Sequence, residues 1–138
     1  MPVLTWLLPV AAAWVIWGFW GFLPKHAGKY IGPVDILIWE VVGAIILGIL
    51  ALIYTGFKLN FHPTGTTLAI AAGFCGYLGT LCFLFALRSG PVSLVVALSA
   101  LYPIVTIVLA FFILHEPMTF KQLCGIALAM VSVLLISL

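Results

Sequence analysis

The chain has 138 residues, of which 66% are hydrophobic and 6% charged, and a formal net charge of +2. A soluble domain carries about a quarter charged residues, so this composition excludes a soluble globular protein and places the chain in a membrane. The charge is too small, and the basic residues too scattered, to suggest a nucleic-acid partner.

Apolar runs at residues 3–23, 34–54, 66–87, 92–114 and 120–138 are each close to the roughly 20 residues that cross a bilayer as a helix. They predict an all-α, multi-pass membrane protein with five transmembrane helices in one domain, residues 1–138. The first run contains Pro9 and closes with Trp17-Gly18-Phe19-Trp20-Gly21-Phe22. It lacks a basic leader, and tryptophans stand where small residues would mark a cleavage site, so it reads as a retained span. A polar loop from Pro24 to Tyr30 leads to Gly32-Pro33. Asp35 then lies in the first turn of the second span, where a carboxylate meets the positive helix end.

After the loop holding Lys58, His62 and Pro63 comes the third span, and Arg88-Ser89-Gly90-Pro91 leads into the fourth. Pro91 suits the first helical position, where a missing N–H costs nothing. Pro103, in mid-span, cannot donate to the carbonyl of Ser99 and is expected to kink the helix. The hinge His115-Glu116-Pro117-Met118-Thr119 follows. Thr119 and Gln122 have the spacing of a capping box and are expected to open the last helix.

Small residues recur at helical spacing in several spans. Gly43, Ala44, Gly48 and Ala51 mark the second, and Ala69, Ala72, Gly73, Gly76 and Gly79 the third. Such faces let membrane helices approach closely, so span three is expected to pack tightly through its glycines. Cys75, Cys82 and Cys124 lie within spans, without disulfide or metal-ligand spacing, and read as small packing residues. With five spans, Lys25, Lys29 and Arg88 fall on one side of the membrane and Lys58 and Lys121 on the other. Lys and Arg bias sets orientation, and three against two is almost no bias. Insertion both ways round is therefore expected.

Trp17-Gly18, Ala86-Leu87-Arg88, Pro103, the Leu114-to-Thr119 hinge and Gln122 with Gly125 together resemble the EamA domain of the drug/metabolite transporter superfamily. The resemblance covers nearly the whole chain and is strongest from Ala86 onward. It implies a transporter of small metabolites or drug-like molecules. Typical members carry two such domains as inverted repeats, ten spans in all, whereas one domain is legible in this sequence. Many members also carry a basic residue near the position held here by Glu40. An odd number of spans puts the two ends of a domain on opposite sides of the membrane. An antiparallel homodimer of a five-span chain would therefore recreate an inverted repeat, with the substrate site near the midplane of the interface and alternating access.

Glu40 is the one acidic residue well inside a span. Intramembrane ionisable residues are rare and mark function by default, so Glu40 is expected to couple protons or bind a cation. The structural alternative is that it pairs with a loop lysine or reaches headgroup water. Trp17, Trp20, Trp39, Tyr77 and Tyr102 are expected to line an aromatic substrate pocket. Plain packing is the alternative, with interfacial anchoring for Trp20 and Trp39. Ser99, opposite the missing donor of Pro103, is a further expected substrate contact. Apart from Asp35 at the mouth of the second span, the spans offer one carboxylate and no histidine, short of the paired groups that acid–base catalysis needs. Neither an enzyme nor a cofactor or metal is expected. The expected partners are a small-molecule substrate, the lipid bilayer and a second copy of the chain, in a prokaryotic inner membrane. A non-transporting membrane subunit, or a half-transporter needing a different partner chain, is the alternative reading.

Overall fold

The computed structural model describes residues 4–137. Val3 and Leu138, the outer limits of the first and last predicted spans, lie outside the described residues. Among the described residues every regular element is an α-helix: α1 (Leu4–Ala27), α2 (Pro33–Tyr54), α3 (Pro63–Ser89), α4 (Val92–Ser99), α5 (Tyr102–Ile113) and α6 (Phe120–Ser137). Trp6–Ala27, Pro33–Tyr54, Pro63–Ser89 and Val92–Ile113 are long and apolar enough to cross a membrane, and α6 supplies a shorter apolar helix.

The helix ends follow local chemistry, and in places they correct the sequence reading. α1 runs through Pro24 to Ala27, where a loop is expected. Proline removes one donor near the end of the helix, and the Gly28 N–H still bonds the Pro24 carbonyl at 2.8 Å. α2 opens at Pro33, and the Asp35 carboxylate accepts from the Gly32 N–H at 3.2 Å. It closes with the Gly56 N–H on Ile53 O and the Phe57 N–H on Leu52 O, with Gly56 left-handed at φ 62°. That bond pair is the Schellman closure of a helix. α3 begins at Pro63, ahead of the expected start at Thr66, because the His62 ring nitrogen Nδ1 accepts from the Gly65 N–H at 3.2 Å and caps that turn.

Pro91 is extended and precedes α4 as its cap, not as its first helical residue. The break expected from Pro103 falls at Ala100–Leu101, between α4 and α5. There the Leu101 N–H reaches Leu98 and the Ile104 N–H reaches Leu101, the three-residue spacing of tight turns. The capping box of α6 is closed in both directions. The Thr119 N–H donates to Gln122 Oε1 at 2.8 Å, and the Gln122 N–H donates to Thr119 Oγ1 at 3.4 Å.

The chain groups into two compact units, Met1–Ser89 and Gly90–Leu138. In the first, α3 packs against both α1 and α2. The buried residues are Gly21 and Pro24 of α1, Pro33 and Ile36 of α2, and Leu84 and Leu87 of α3. They gather where α1 ends, α2 begins and α3 ends. Trp20 stacks on Phe83 there, with ring centroids 5.4 Å apart. Trp20 thus packs between helices rather than serving only as an interfacial anchor. In the second unit α4 packs against α6.

Tight packing through the glycines is not what the chain does with its own helices. A Cβ built at Gly43, Gly48, Gly73, Gly76 or Gly79 meets nothing within 4 Å. The seams within the first unit are made by Ile36, Leu84 and Leu87, whose large side chains hold the backbones apart, while the small faces stay uncovered. Cys75, Cys82 and Cys124 are likewise exposed and free rather than packed between helices. In a bilayer these outer faces meet lipid or another chain.

Candidate functional site

The seam between α2 and α3 carries the most unusual polar group in the protein. Along the first half of α2 the covered positions are Pro33, Ile36, Leu37, Glu40, Val41 and Ala44, a repeat of three and four residues that forms one helical face. The matching stripe of α3 is Tyr77, Thr80, Leu81, Leu84 and Leu87. Ile36, Leu84 and Leu87 line one cavity, which fixes the level of the two helices. They run in opposite directions, so one turn onward in α2 and one turn back in α3 bring Glu40 to the level of Thr80. The Thr80 hydroxyl is turned to its own helix, donating to Gly76 O at 3.0 Å.

Glu40 is half-buried, and its Oε2 atom is buried with no hydrogen-bond partner among the described residues. A buried polar atom without a partner costs free energy. It persists where a proton, a cation or a ligand donor completes it. About 10 Å of helix, at 1.5 Å per residue, separates Glu40 from the start of α2, which puts the carboxylate below the interface. What the seam can do chemically is hold and release a proton or accept a cationic donor.

The other residues singled out in the sequence are placed as follows. Tyr77 is half-buried on the α3 stripe, three residues from Thr80. Trp17 has the helical spacing of the face that buries Gly21 and Pro24, yet it is 60% exposed. Glu40, Tyr77 and Trp17 thus belong to the three-helix unit. Ser99 and Tyr102 belong to the second unit, on either side of the break between α4 and α5. The Ser99 hydroxyl donates back to Val95 O, so it is engaged within its own helix. Tyr102 is 61% exposed. Within that unit Glu116, Gln122 and Gly125 line one cavity with Ile107 and Phe111.

Two features are not singled out in the sequence reading. Thr80 and Leu81 continue the half-buried α3 stripe at about the level of Glu40. Their signal is the three-and-four repeat from Tyr77 to Leu87, masked by the glycine repeat on the same helix. The second feature is a cavity lined by Lys25, Lys29 and Arg88, in which Arg88 joins the Lys25/Lys29 pair from a remote part of the chain.

A family model described as the EamA-like transporter family matches residues 4–138. The chain is 30% identical over 102 residues to the uncharacterized protein MJ1333.1 of Methanocaldococcus jannaschii, covering 74% of each. It is 29% identical to the uncharacterized transporter YvbV of Bacillus subtilis, over 95% of this chain and 44% of that protein. The chain therefore spans less than half the length of that transporter. No solved structure matches.

Proposed function

This chain belongs to the EamA-like transporter family, and we propose that it is a secondary-active transporter of a small metabolite or drug-like molecule. It is an integral membrane protein whose α6 makes a fifth crossing of the bilayer. The whole matched segment acts as one EamA domain. Two copies pair antiparallel, with substrate held near the midplane of their interface and exposed to each side in turn. The bacterial and archaeal relatives support a prokaryotic cell membrane as its location.

The observation that carries this reading is the buried, unpartnered Oε2 of Glu40 inside the α2–α3 seam. Transport against a gradient must draw on another gradient, and Glu40 is the acid placed to exchange a proton during the cycle. Trp17 and Tyr77 of the same unit present aromatic surface to substrate. Ser99 and Tyr102 are assigned a substrate contact of their own, beside the break that Pro103 makes. The uncovered faces around Gly48 and Gly76 support a second copy as the missing half, because small residues allow close approach of membrane helices.

The test is transport by the purified protein in liposomes carrying an imposed pH gradient, with a panel of amino acids, nucleosides and cationic dyes. Glu40→Gln is expected to fold and assemble but to lose pH-driven transport, while Glu40→Asp keeps part of it. A Glu40→Gln protein with unchanged pH dependence would show that Glu40 is structural. A wild-type chain that moves nothing alone, but does so with a co-expressed second chain, would make it a half-transporter.

A further inference from the structure

The packed end of the first unit encloses a cavity of about 390 Å³, lined by Lys25, Lys29 and Arg88 and floored by Ile36, Leu84 and Leu87. Two helix C-termini bring the cations there. Lys25 lies in the last turn of α1 and Arg88 in the last turn of α3, where the negative ends of the helices favour positive charge. Lys29 follows directly after α1. Around this cavity, residues 17–36 and 84–90 contain one carboxylate, Asp35. Its side chain is taken up by the Gly32 N–H at 3.2 Å.

The cavity thus has a cationic rim and an aliphatic floor. It sits where three helices end, at the level of the lipid headgroups. A guanidinium fork suits a phosphate, and ammonium groups add compact charge beside it. A bare inorganic phosphate would gain nothing from Ile36, Leu84 and Leu87, whereas an amphiphile would use both surfaces. We propose that this cavity binds the phosphate headgroup of an anionic phospholipid, with the first carbons of the lipid on the Ile36–Leu84–Leu87 floor. The site uses the Ile36–Leu84–Leu87 end of the α2–α3 seam but not Glu40, and it does not depend on the transport reading. The lipid would act as a strap across α1, α2 and α3 at their common end.

The experiment is native mass spectrometry of the full chain in neutral detergent, titrated with phosphatidylglycerol or phosphatidylcholine of identical acyl chains. One phosphatidylglycerol is expected to stay bound where phosphatidylcholine does not. The Lys29→Gln/Arg88→Gln variant should bind it more weakly, by about fivefold for each charge removed. The Lys58→Gln/Lys121→Gln variant, with the same charge loss elsewhere, should bind as wild type does. Equal retention of the two lipids, or equal weakening in both variants, overturns the proposal. If the double variant does not fold, Lys29→Gln alone, at an exposed position outside the helices, carries the same comparison. Displacement of the lipid by millimolar inorganic phosphate would assign the site to a soluble phosphate compound and overturn the lipid source.

Discussion

The ammonium of Lys25, near the end of α1, donates a 2.6 Å hydrogen bond to the main-chain carbonyl of Leu87 in the last turn of α3. The last carbonyls of a helix have no partner of their own, so this bond satisfies one and ties two non-adjacent helices together. Hydrogen bonds to charged groups contribute about 1.5–3 kcal/mol. Lys25→Met is expected to lower stability by an amount in that range, and Lys25→Arg by less. Unfolding in detergent with increasing SDS measures both.

Beside that bond, Trp20 and Phe83 stack with their planes 16° apart. Aromatic pairs of this kind contribute about 0.5–1.5 kcal/mol beyond their buried area. A cycle of Trp20→Leu, Phe83→Leu and the double variant is expected to return a coupling of that size. A coupling near zero would mean that the two rings respond independently and that α1 is held by Lys25 and the Gly21–Pro24 face.

Four of the spans, the break before Pro103 and the capping box of α6 were legible in the sequence, because each depends on local chemistry. Apolar length, a missing N–H and the Thr119–Gln122 spacing need no partner helix. The packing was less legible. Gly73, Gly76 and Gly79 announce a close approach, yet α1 and α2 meet α3 along Tyr77, Leu84 and Leu87 instead. In a membrane both faces are apolar, so hydropathy cannot say which one a neighbouring helix covers. Glu40 stood out because an ionisable residue in mid-span is rare, but Thr80 and Leu81, at about its level on α3, did not. Lys25, Lys29 and Arg88 are as much as 63 residues apart in number (88 − 25) and converge only once α1 and α3 share an end.

A Cβ at Gly76 meets nothing within 4 Å, so Gly76→Leu is expected to leave the helix content and stability of the single chain within about 0.5 kcal/mol of wild type. If a second copy covers this face, the same substitution breaks assembly, because a close helix crossing has no room for the side chain. Circular dichroism follows the first outcome, and cross-linking or single-molecule photobleaching in liposomes the second. A Gly76→Leu protein that assembles as wild type does would turn this face toward lipid and move the pairing surface elsewhere.

The antiparallel arrangement makes a demand on insertion that can be measured directly. Lys25, Lys29 and Arg88 line one cavity of the first unit, so their three charges act at the same membrane surface. Lys58 follows the far end of α2, and Lys121 opens α6, on the side that the five-span reading gives to Lys58. Orientation responds to the difference in Lys and Arg between short loops, here three against two. C-terminal reporters active on opposite sides of the membrane, one fluorescent in the cytoplasm and one an exported phosphatase, are therefore both expected to give signal. Two lysines added to the 56–62 loop reverse the balance to four against three and should move the population toward the orientation that keeps this loop inside. Lys29→Gln combined with Arg88→Gln should move it the same way by removing the opposing charge. A wild-type chain found in one orientation alone would exclude the antiparallel homodimer and leave pairing with a different chain as the route to a complete transporter.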